Sequence, residues 1–335
     1  MYFPSTNLLA LAGAFPGAAP ATVKRQSNVT VYNFTSNDYG NLSEPNLLQY
    51  ALTWEHLQVA LYDKGLSIFN SSPNASNMSH SYEQLQYIAR DERAHVQFLE
   101  QSITSLGHKP MSPCTYNFMV NSTQQFLQLA SQLEGVGVSG LAGATGAMNP
   151  KQYQTAAAAL LASEASHQSI LRNAVGEVPN ANPFGTPLGL NASYSIVRRY
   201  TQSCSHNNSA LPLTVYPQLA VSTGNTTLNT TRANGSIILT PENGGSALRG
   251  SVYATYLSGL QIIPIATTKG PDGTVRATVP PAVSGQSYVF LTKDNSGNIT
   301  DSTVIAGPAI VEAVPSPPTS NSSHAVVIRG YVHSS

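Results

Sequence analysis

The hydrophobic positions between residues 43 and 211 recur in steps of three and four, which is the spacing of one face of an α-helix. This pattern predicts four long helices and a shorter fifth one. They span about residues 43–69, 79–106, from 122 onward, 150–175 and 192–203. Ser43 and Asn149 are the predicted N-terminal caps, and Gly107 and Gly176 are the predicted ends of the second and fourth helices.

After Leu213 the pattern changes to short β-rich runs with turn signals between them, such as the segments 271–273 and 294–297. Seven such runs over about a hundred residues predict a small antiparallel sandwich of immunoglobulin-like shape, without the internal disulfide of that fold. The predicted strands are 236–240, 251–256, 261–266, 274–279, 287–292, 302–306 and 309–314.

We therefore expect an α + β protein of two domains, with a four-helix bundle at residues 43–211 and the β-sandwich at 212–314. The apolar run 8–15 and the small residues 19–21 predict a signal peptide over residues 1–21. Residues 22–42 are read as a propeptide and N-terminal extension, in which Lys24-Arg25 is either a dibasic processing site or an ordinary charged pair. A Pro/Ser linker and tail occupy residues 315–335.

The composition argues against nucleic-acid binding and a membrane-spanning helix, and it favours a secreted glycoprotein. Only 10% of the residues are charged and the formal net charge is zero, so no basic surface for nucleic acid is expected. No apolar run reaches the roughly 18 residues of a membrane helix. Fourteen Asn-x-Ser/Thr sequons predict N-linked glycans and a secreted protein of the extracellular space or cell wall. Their asparagines are Asn28, Asn33, Asn41, Asn70, Asn74, Asn77, Asn121, Asn191, Asn207, Asn225, Asn229, Asn234, Asn298 and Asn321.

Cys114 and Cys204 are the only cysteines. In an oxidising compartment, two thiols favour one disulfide, and a pair of free buried thiols is the alternative. Neither cysteine lies on a helix stripe that carries the charged residues described next, so both are left out of the candidate site.

Charged residues interrupt the apolar stripes of the four long helices. Glu92 and His95 are three residues apart, as are Glu164 and His167, so each pair leaves one face of its helix. The first and third helices each carry one glutamate in the same kind of position. Together these six candidate residues are Glu55, Glu92, His95, Glu134, Glu164 and His167.

Four carboxylates in one bundle core are costly to bury unless they are paired, because desolvating each ion costs several kcal/mol. Two divalent metal ions would offset that cost. Hard carboxylates with two imidazoles suit iron or manganese better than copper, and zinc is the alternative. The alternative is a hydrogen-bonded, partly protonated polar core without metal. Tyr62 lies two turns from Glu55 and is either a neighbour of the metals or a plain core tyrosine, whereas His56, His80 and His108 are expected at the surface.

The pattern Glu, Glu-x-x-His, Glu, Glu-x-x-His is the ligand set of ferritin-like di-iron and di-manganese proteins. With three further segments, it makes residues 43–211 resemble the ferritin-like family of desiccation-related proteins and fungal Rds1-type stress-response proteins. These segments are 113–118, 134–138 and 184–189. The resemblance implies a ferritin-like bundle with a dinuclear site. In that site Glu92 and Glu164 would bridge the ions, Glu55 and Glu134 would be terminal, and each histidine would bind one ion.

Two functions from different classes are compatible with these features. The first is a secreted, stress-related glycoprotein whose iron or manganese pair acts on dioxygen or peroxide. The second is a non-catalytic extracellular or cell-surface protein that uses the bundle as a scaffold. The β-domain is interpreted as a spacer or adhesion module, or as a carbohydrate-binding face formed by Tyr253, Tyr256 and Tyr288 that contacts cell wall. The sequence does not indicate an oligomeric state.

Overall fold

The computed structural model describes residues 42–71, 79–148, 151–223, 230–244 and 248–315. The predicted signal peptide lies outside these residues, as do the predicted propeptide and extension apart from Leu42 and the predicted C-terminal tail apart from Pro315. Asn149, Pro150 and the side chain of His80 also lie outside them. Five helices come first: α1 (Glu44–Asn70), α2 (Ser79–Ser105), α3 (Thr123–Ala144), α4 (Lys151–Ala174) and α5 (Leu190–Tyr200). The first four are the long helices that the periodicity predicts.

Local chemistry accounts for most of the helix ends. Ser122 accepts a hydrogen bond on its side chain from the Gln125 backbone N–H and so caps α3. Gly107 and Gly176 follow α2 and α4 with φ of +78°, a conformation that glycine adopts without strain. Ser43 is the N-cap residue of α1, as predicted, although its hydroxyl makes no capping hydrogen bond there.

The fifth helix is shorter than predicted. It ends at Tyr200, and residues predicted to continue it form strand β2 (Thr201–Ser203), which pairs with strand β1 (Thr115–Tyr116). β1 lies in the long connection between α2 and α3. The disulfide between Cys114 and Cys204 joins the same two segments, so the predicted pairing is confirmed.

The described residues of the β-rich part form two sheets beyond that short pair. One has the strand order β4-β11-β10-β6-β7, and the other has the order β3-β5-β9-β8. The predicted runs 302–306 and 309–314 belong to one strand, and three short strands were not predicted. The strands are β3 (Leu219–Ser222), β4 (Thr230–Thr231), β5 (Ser236–Pro241), β6 (Tyr253–Ser258), β7 (Gln261–Ala266), β8 (Thr268–Lys269), β9 (Val275–Thr278), β10 (Gly285–Thr292) and β11 (Val304–Ala313).

The five-stranded sheet is buried on both faces. In β10, Val289 and Leu291 pack into the core between the two sheets, whereas Tyr288 and Phe290 pack into the core of the helices. All four side chains are 0% exposed. A continuous apolar run is typical of a strand that is covered on both sides. The β-rich part therefore shares a hydrophobic core with the bundle, and its immunoglobulin-like shape stays a prediction.

The tyrosines predicted to form a carbohydrate-binding face are not on a common surface. Tyr256 and Tyr288 are both 0% exposed. Tyr256 lies in the core between the sheets, and Tyr288 lies against the helices. This prediction is wrong because alternate residues of a strand point to opposite faces, and both faces of this sheet are covered.

Among the described helices, none has the length and hydropathy of a membrane span.

Candidate metal centre

The six predicted residues meet at the centre of the four long helices. Glu92, Glu134 and Glu164 are 0% exposed, and Glu55 is 2% exposed. The side chain of His95 is 12% exposed, so it is the member closest to solvent. The residues converge because each lies on the apolar stripe of its helix, and the four stripes face one another.

The six side chains form two overlapping groups of possible ligands. Glu55, Glu92, His95 and Glu164 make the first group, and Glu92, Glu134, Glu164 and His167 make the second. Within each group the ligand atoms lie within 4.8 Å of one another. Glu92 and Glu164 belong to both groups, so they occupy the positions that bridging carboxylates would need.

Each imidazole faces carboxylates through its Nδ1 atom. His95 Nδ1 lies 3.2 Å from Glu55 Oε2 and 3.3 Å from Glu164 Oε1. His167 Nδ1 lies 2.9 Å from Glu92 Oε1 and 3.6 Å from Glu134 Oε2. Neighbouring ligands at about 2.1 Å from one octahedral ion are about 3 Å apart, so these spacings match a shared ion.

Burial and mutual repulsion perturb the ionisation of the group. Desolvation and the Glu134 carboxylate raise the pKa of Glu164 to about 7. Desolvation also raises the pKa values of Glu55 and Glu134. Burial lowers the pKa of His167, but the Glu134 and Glu92 carboxylates outweigh it and raise this pKa to about 11. Without a metal, the cluster therefore holds protons to reduce its charge.

Several buried atoms of the cluster have no hydrogen-bond partner. Both carboxylate oxygens of Glu92 are in this state, as are Glu164 Oε1 and His167 Nδ1. His167 Nδ1 is near Glu92 Oε1, but the two atoms are not aligned as a hydrogen bond. Buried polar atoms without partners are rare and commonly mark the site of an ion or water. The donor set therefore fits two metal ions held by carboxylate oxygens and imidazole nitrogens.

Gln58 and Tyr62 support the carboxylates from one side. Gln58 Nε2 donates to Glu164 Oε2 at 2.6 Å and to Glu134 Oε2 at 3.2 Å. The Tyr62 hydroxyl donates to Glu134 Oε1, and burial raises the pKa of this phenol. The structure therefore supports the interpretation of Tyr62 as a neighbour of the cluster rather than as a plain core tyrosine.

Asp91 lies behind His167. Its Oδ2 is 3.6 Å from His167 Nε2, the ring nitrogen that points away from the cluster. A carboxylate in this position favours the tautomer with a proton on Nε2, which leaves Nδ1 free to bind a metal.

The glycine-rich segment after Glu134 makes room for side chains around the cluster. A Cβ at Gly137 would lie 2.9 Å from Glu164 Oε2. A Cβ at Gly135 would lie 2.2 Å from both Gln168 Nε2 and Gln286 Oε1. The glycines thus allow a cluster carboxylate on one side of α3 and a β10 side chain on the other.

Strand β10 contacts the two helices that carry Glu134 and His167. Gln286 Nε2 donates to the Gln132 carbonyl oxygen of α3 at 3.0 Å, and Gln168 Nε2 of α4 donates to Gln286 Oε1 at 3.2 Å. The Tyr288 hydroxyl lies 3.1 Å from the Gly135 carbonyl oxygen. The β-rich part therefore bridges α3 and α4 directly behind the cluster.

A buried ion pair connects α4 to the same sheet. Arg172, which is 3% exposed, donates from Nη1 and Nη2 to both oxygens of Glu312 at 2.9 Å. Glu177 Oε2 lies 3.2 Å from Arg172 Nη1. Burial and the Glu312 charge nevertheless raise the pKa of Glu177 to about 7, although Arg172 acts in the opposite direction.

A Glu177→Gln variant is expected to be more stable than the wild type at pH 8, by about 1 kcal/mol after allowance for solvent screening. The folded-state pKa of about 7 exceeds the reference value of 4.5. The contribution of the Glu177 carboxyl to the free energy of unfolding of the wild type therefore falls as the pH rises from 4.5 to about 7. Urea unfolding at pH 5 and pH 8 measures the difference. A gain in stability that is equal at both pH values would contradict the raised pKa of Glu177. An equal gain in the exposed Glu83→Gln control would contradict it as well.

Gln58 is the main site residue that sequence analysis missed. It follows Glu55 by three residues, the same spacing that links each glutamate–histidine pair, and this signal marks it on the cluster face. His56 was predicted at the surface, and this is wrong: it is 7% exposed, and its Nε2 lies 3.0 Å from the Met111 carbonyl oxygen. The connection after α2 covers it. His108 is exposed, as predicted.

Comparison with known proteins agrees with the helical architecture. Residues 43–177 match the family model of the ferritin-like domain. No curated protein matches the chain. The first four helices therefore form a ferritin-like domain, to which α5 and the β-rich part are added.

Proposed function

We propose that this ferritin-like domain binds two divalent iron or manganese ions and belongs to a secreted, glycosylated, stress-related protein that reacts with dioxygen or peroxide. One observation carries the proposal: two overlapping ligand groups share Glu92 and Glu164 at the bundle centre. Glu55 and Glu134 are then terminal ligands, and His95 and His167 each bind one ion. The relation to desiccation-related and fungal Rds1-type proteins rests on the sequence segments that resemble them.

Two such ions, if bound, would exchange electrons with dioxygen or peroxide. The protein's own residues hold the geometry. Gln58 fixes two carboxylates from different helices, and the Tyr62 hydroxyl holds a proton against Glu134. Burial excludes bulk water from three of the four glutamates.

Secretion is supported by the sequons and by the apolar N-terminal run. Six sequon asparagines lie among the described residues. Five of them are exposed, and the sixth, Asn191, is partly buried and donates to Asp301 Oδ1 at 2.9 Å. The exposed positions are accessible to glycans, and these are Asn70, Asn121, Asn207, Asn234 and Asn298.

A Glu92→Ala, Glu164→Ala variant is expected to lose both metal ions, because each substitution removes a ligand of both groups. Protein recovered from the medium of a eukaryotic host, which also tests secretion, is analysed for metal content. The wild type should contain about two iron or manganese ions per chain. Metal-loaded protein is then tested for oxygen uptake and for peroxide disproportionation.

The matched control is Glu83→Ala, which removes an exposed carboxylate from the same helix as Glu92. It should retain both the metal and the activity of the wild type. Metal at equal levels in the wild type and the double variant would contradict the assigned site. Two bound ions without either activity would instead favour the scaffold function.

A further inference from the structure

A cavity of about 330 Å³ lies beside the disulfide between Cys114 and Cys204. Its walls come from α1, from the connection between α2 and α3, from α5 and from the segment 201–215. Small-molecule sites in proteins measure about 300–1,000 Å³, so this volume is enough for one small organic molecule. None of the six residues of the candidate metal centre lines the cavity.

Covalent and hydrogen bonds join two of the walls. The disulfide links the connection after α2 to the residue that follows β2, and β1 pairs with β2 beside it. The Asn208 side chain accepts the Ser112 backbone N–H at 2.8 Å and donates to the Ser112 carbonyl oxygen at 2.8 Å. The cavity is therefore formed before a ligand binds, which lowers the entropic cost of binding.

The cavity carries an unbalanced positive charge. Arg198 is the only lysine or arginine among the described residues that line it, and these residues include no aspartate or glutamate. The guanidinium forms no ion pair with a described residue, and its Nη1 contacts Cys204 Sγ at 3.9 Å. His56 also lines the cavity, but its Nε2 lies against the Met111 carbonyl oxygen. An anionic ligand would balance the Arg198 charge.

The Tyr116 hydroxyl adds a second donor to the cavity. Its oxygen accepts the Cys114 backbone N–H at 3.4 Å, and its proton has no acceptor among the described residues. Burial raises the pKa of this phenol to about 12, although the Cys114 N–H and the Arg198 charge act in the opposite direction. The phenol therefore keeps its proton at neutral pH, and the guanidinium lies within electrostatic range of it.

Apolar and aromatic side chains line the cavity as well. Leu211, Leu213 and Val215 supply aliphatic groups, and Tyr194 supplies an aromatic ring. Val215 is 48% exposed, so it lies at the mouth of the cavity. Apolar walls with a few placed polar groups are typical of small-molecule sites. A hydrated inorganic ion gains nothing from such walls, so the matching ligand has an apolar body.

We propose that this cavity binds a small aromatic carboxylate, with its charged group at Arg198 and Tyr116 and its ring against the apolar walls. A carboxylate balances the single charge of Arg198, whereas a phosphate monoester would bring a charge of about −1.5 to −2. The site is separate from the candidate metal centre, so the proposal does not depend on the proposed function.

Fluorescence titration with 2-naphthoate tests the site, and 2-naphthamide is the uncharged comparison. The secreted protein is titrated with and without its N-glycans, because the sequon residue Asn207 adjoins the lining residue Asn208. The wild type should bind naphthoate about tenfold more tightly than naphthamide, because hydrogen bonds to charged groups are stronger than those between neutral groups. Arg198→Gln should lower the affinity for naphthoate about tenfold and leave that for naphthamide unchanged. The control Arg232→Gln removes an exposed arginine outside the cavity and should bind as the wild type does.

A second variant supplies the carboxylate that the cavity lacks. Val215→Asp places a negative charge at the mouth, where it repels the ligand and pairs with Arg198, so it should also weaken naphthoate binding about tenfold. Val178→Asp is the matched control, because Val178 is likewise 48% exposed but lies outside the cavity. Melting temperatures show whether each variant is folded.

Three results would overturn the proposal. The first is the absence of naphthoate binding from both glycan forms of the wild type. The second is an equal affinity of the wild type for naphthoate and naphthamide. The third is wild-type affinity for naphthoate in both Arg198→Gln and Val215→Asp.

Discussion

Removal of bound metal ions is expected to lower the melting temperature of the wild-type protein by about 10 °C and to leave that of a Glu92→Gln, Glu164→Gln variant almost unchanged. Two divalent ions balance four carboxylate charges when both imidazoles are neutral. A ligand that binds only the folded state at 1,000 times its dissociation constant adds about 4 kcal/mol. Calorimetry with and without a chelator measures the change.

The metal-free proteins provide a second comparison. Glutamine keeps the size of each side chain but carries no charge, so the metal-free variant should be more stable than the metal-free wild type. The pKa of Glu164, raised to about 7 by burial and by Glu134, reflects the same penalty. The exposed control Glu83→Gln should behave as the wild type does. An equal fall in melting temperature for wild type and variant would show that the cluster does not hold the stabilising ions.

Gly143→Ala is expected to destabilise the protein by about 2–4 kcal/mol, although alanine is about 1 kcal/mol better than glycine in a helix. A Cβ at this position would lie 2.0 Å from the Leu188 carbonyl oxygen, which belongs to the backbone. Leu188 cannot easily move, because it is 0% exposed and its N–H donates to the Ser139 carbonyl oxygen at 2.9 Å. Chemical denaturation measures the free energy of unfolding.

Two other glycine variants serve as comparisons for the stability of Gly143→Ala. A Cβ at Gly140 would meet the Tyr50 hydroxyl at 2.6 Å, and this side chain can shift more easily than backbone. Gly140→Ala should therefore cost less. At Gly185 a Cβ would meet nothing within 4 Å, so Gly185→Ala should stay within about 0.5 kcal/mol of the wild type. Equal stabilities of Gly143→Ala and Gly185→Ala would contradict the steric argument.

The candidate ligands were predictable because helix periodicity is local information. A glutamate at a position that should be apolar, such as Glu134 or Glu164, is visible in the sequence without knowledge of its neighbours. Four such stripes face one another in the bundle, so the six residues converge. The ferritin-like domain was expected from the resemblance of this ligand pattern to ferritin-like proteins, and the family match at residues 43–177 agrees with it.

Contacts between distant segments were not predictable in this way. His56 is covered by the connection after α2, and Tyr256 and Tyr288 are covered by elements on both faces of the sheet. Residues 201–203 form a strand because Thr115 and Tyr116 are available as its partner. In each case a distant part of the chain outweighs the local propensity.

The sequence alone determined the helices, most of the strands, the disulfide pair and the six residues of the candidate metal centre. The tertiary structure decided that β10 packs behind α3 and α4 and that Gln58 and Tyr62 hold the carboxylates from one side. The physical reason is that a periodic pattern shows which side chains are removed from water, whereas the neighbour that covers each side chain depends on how all the elements pack together.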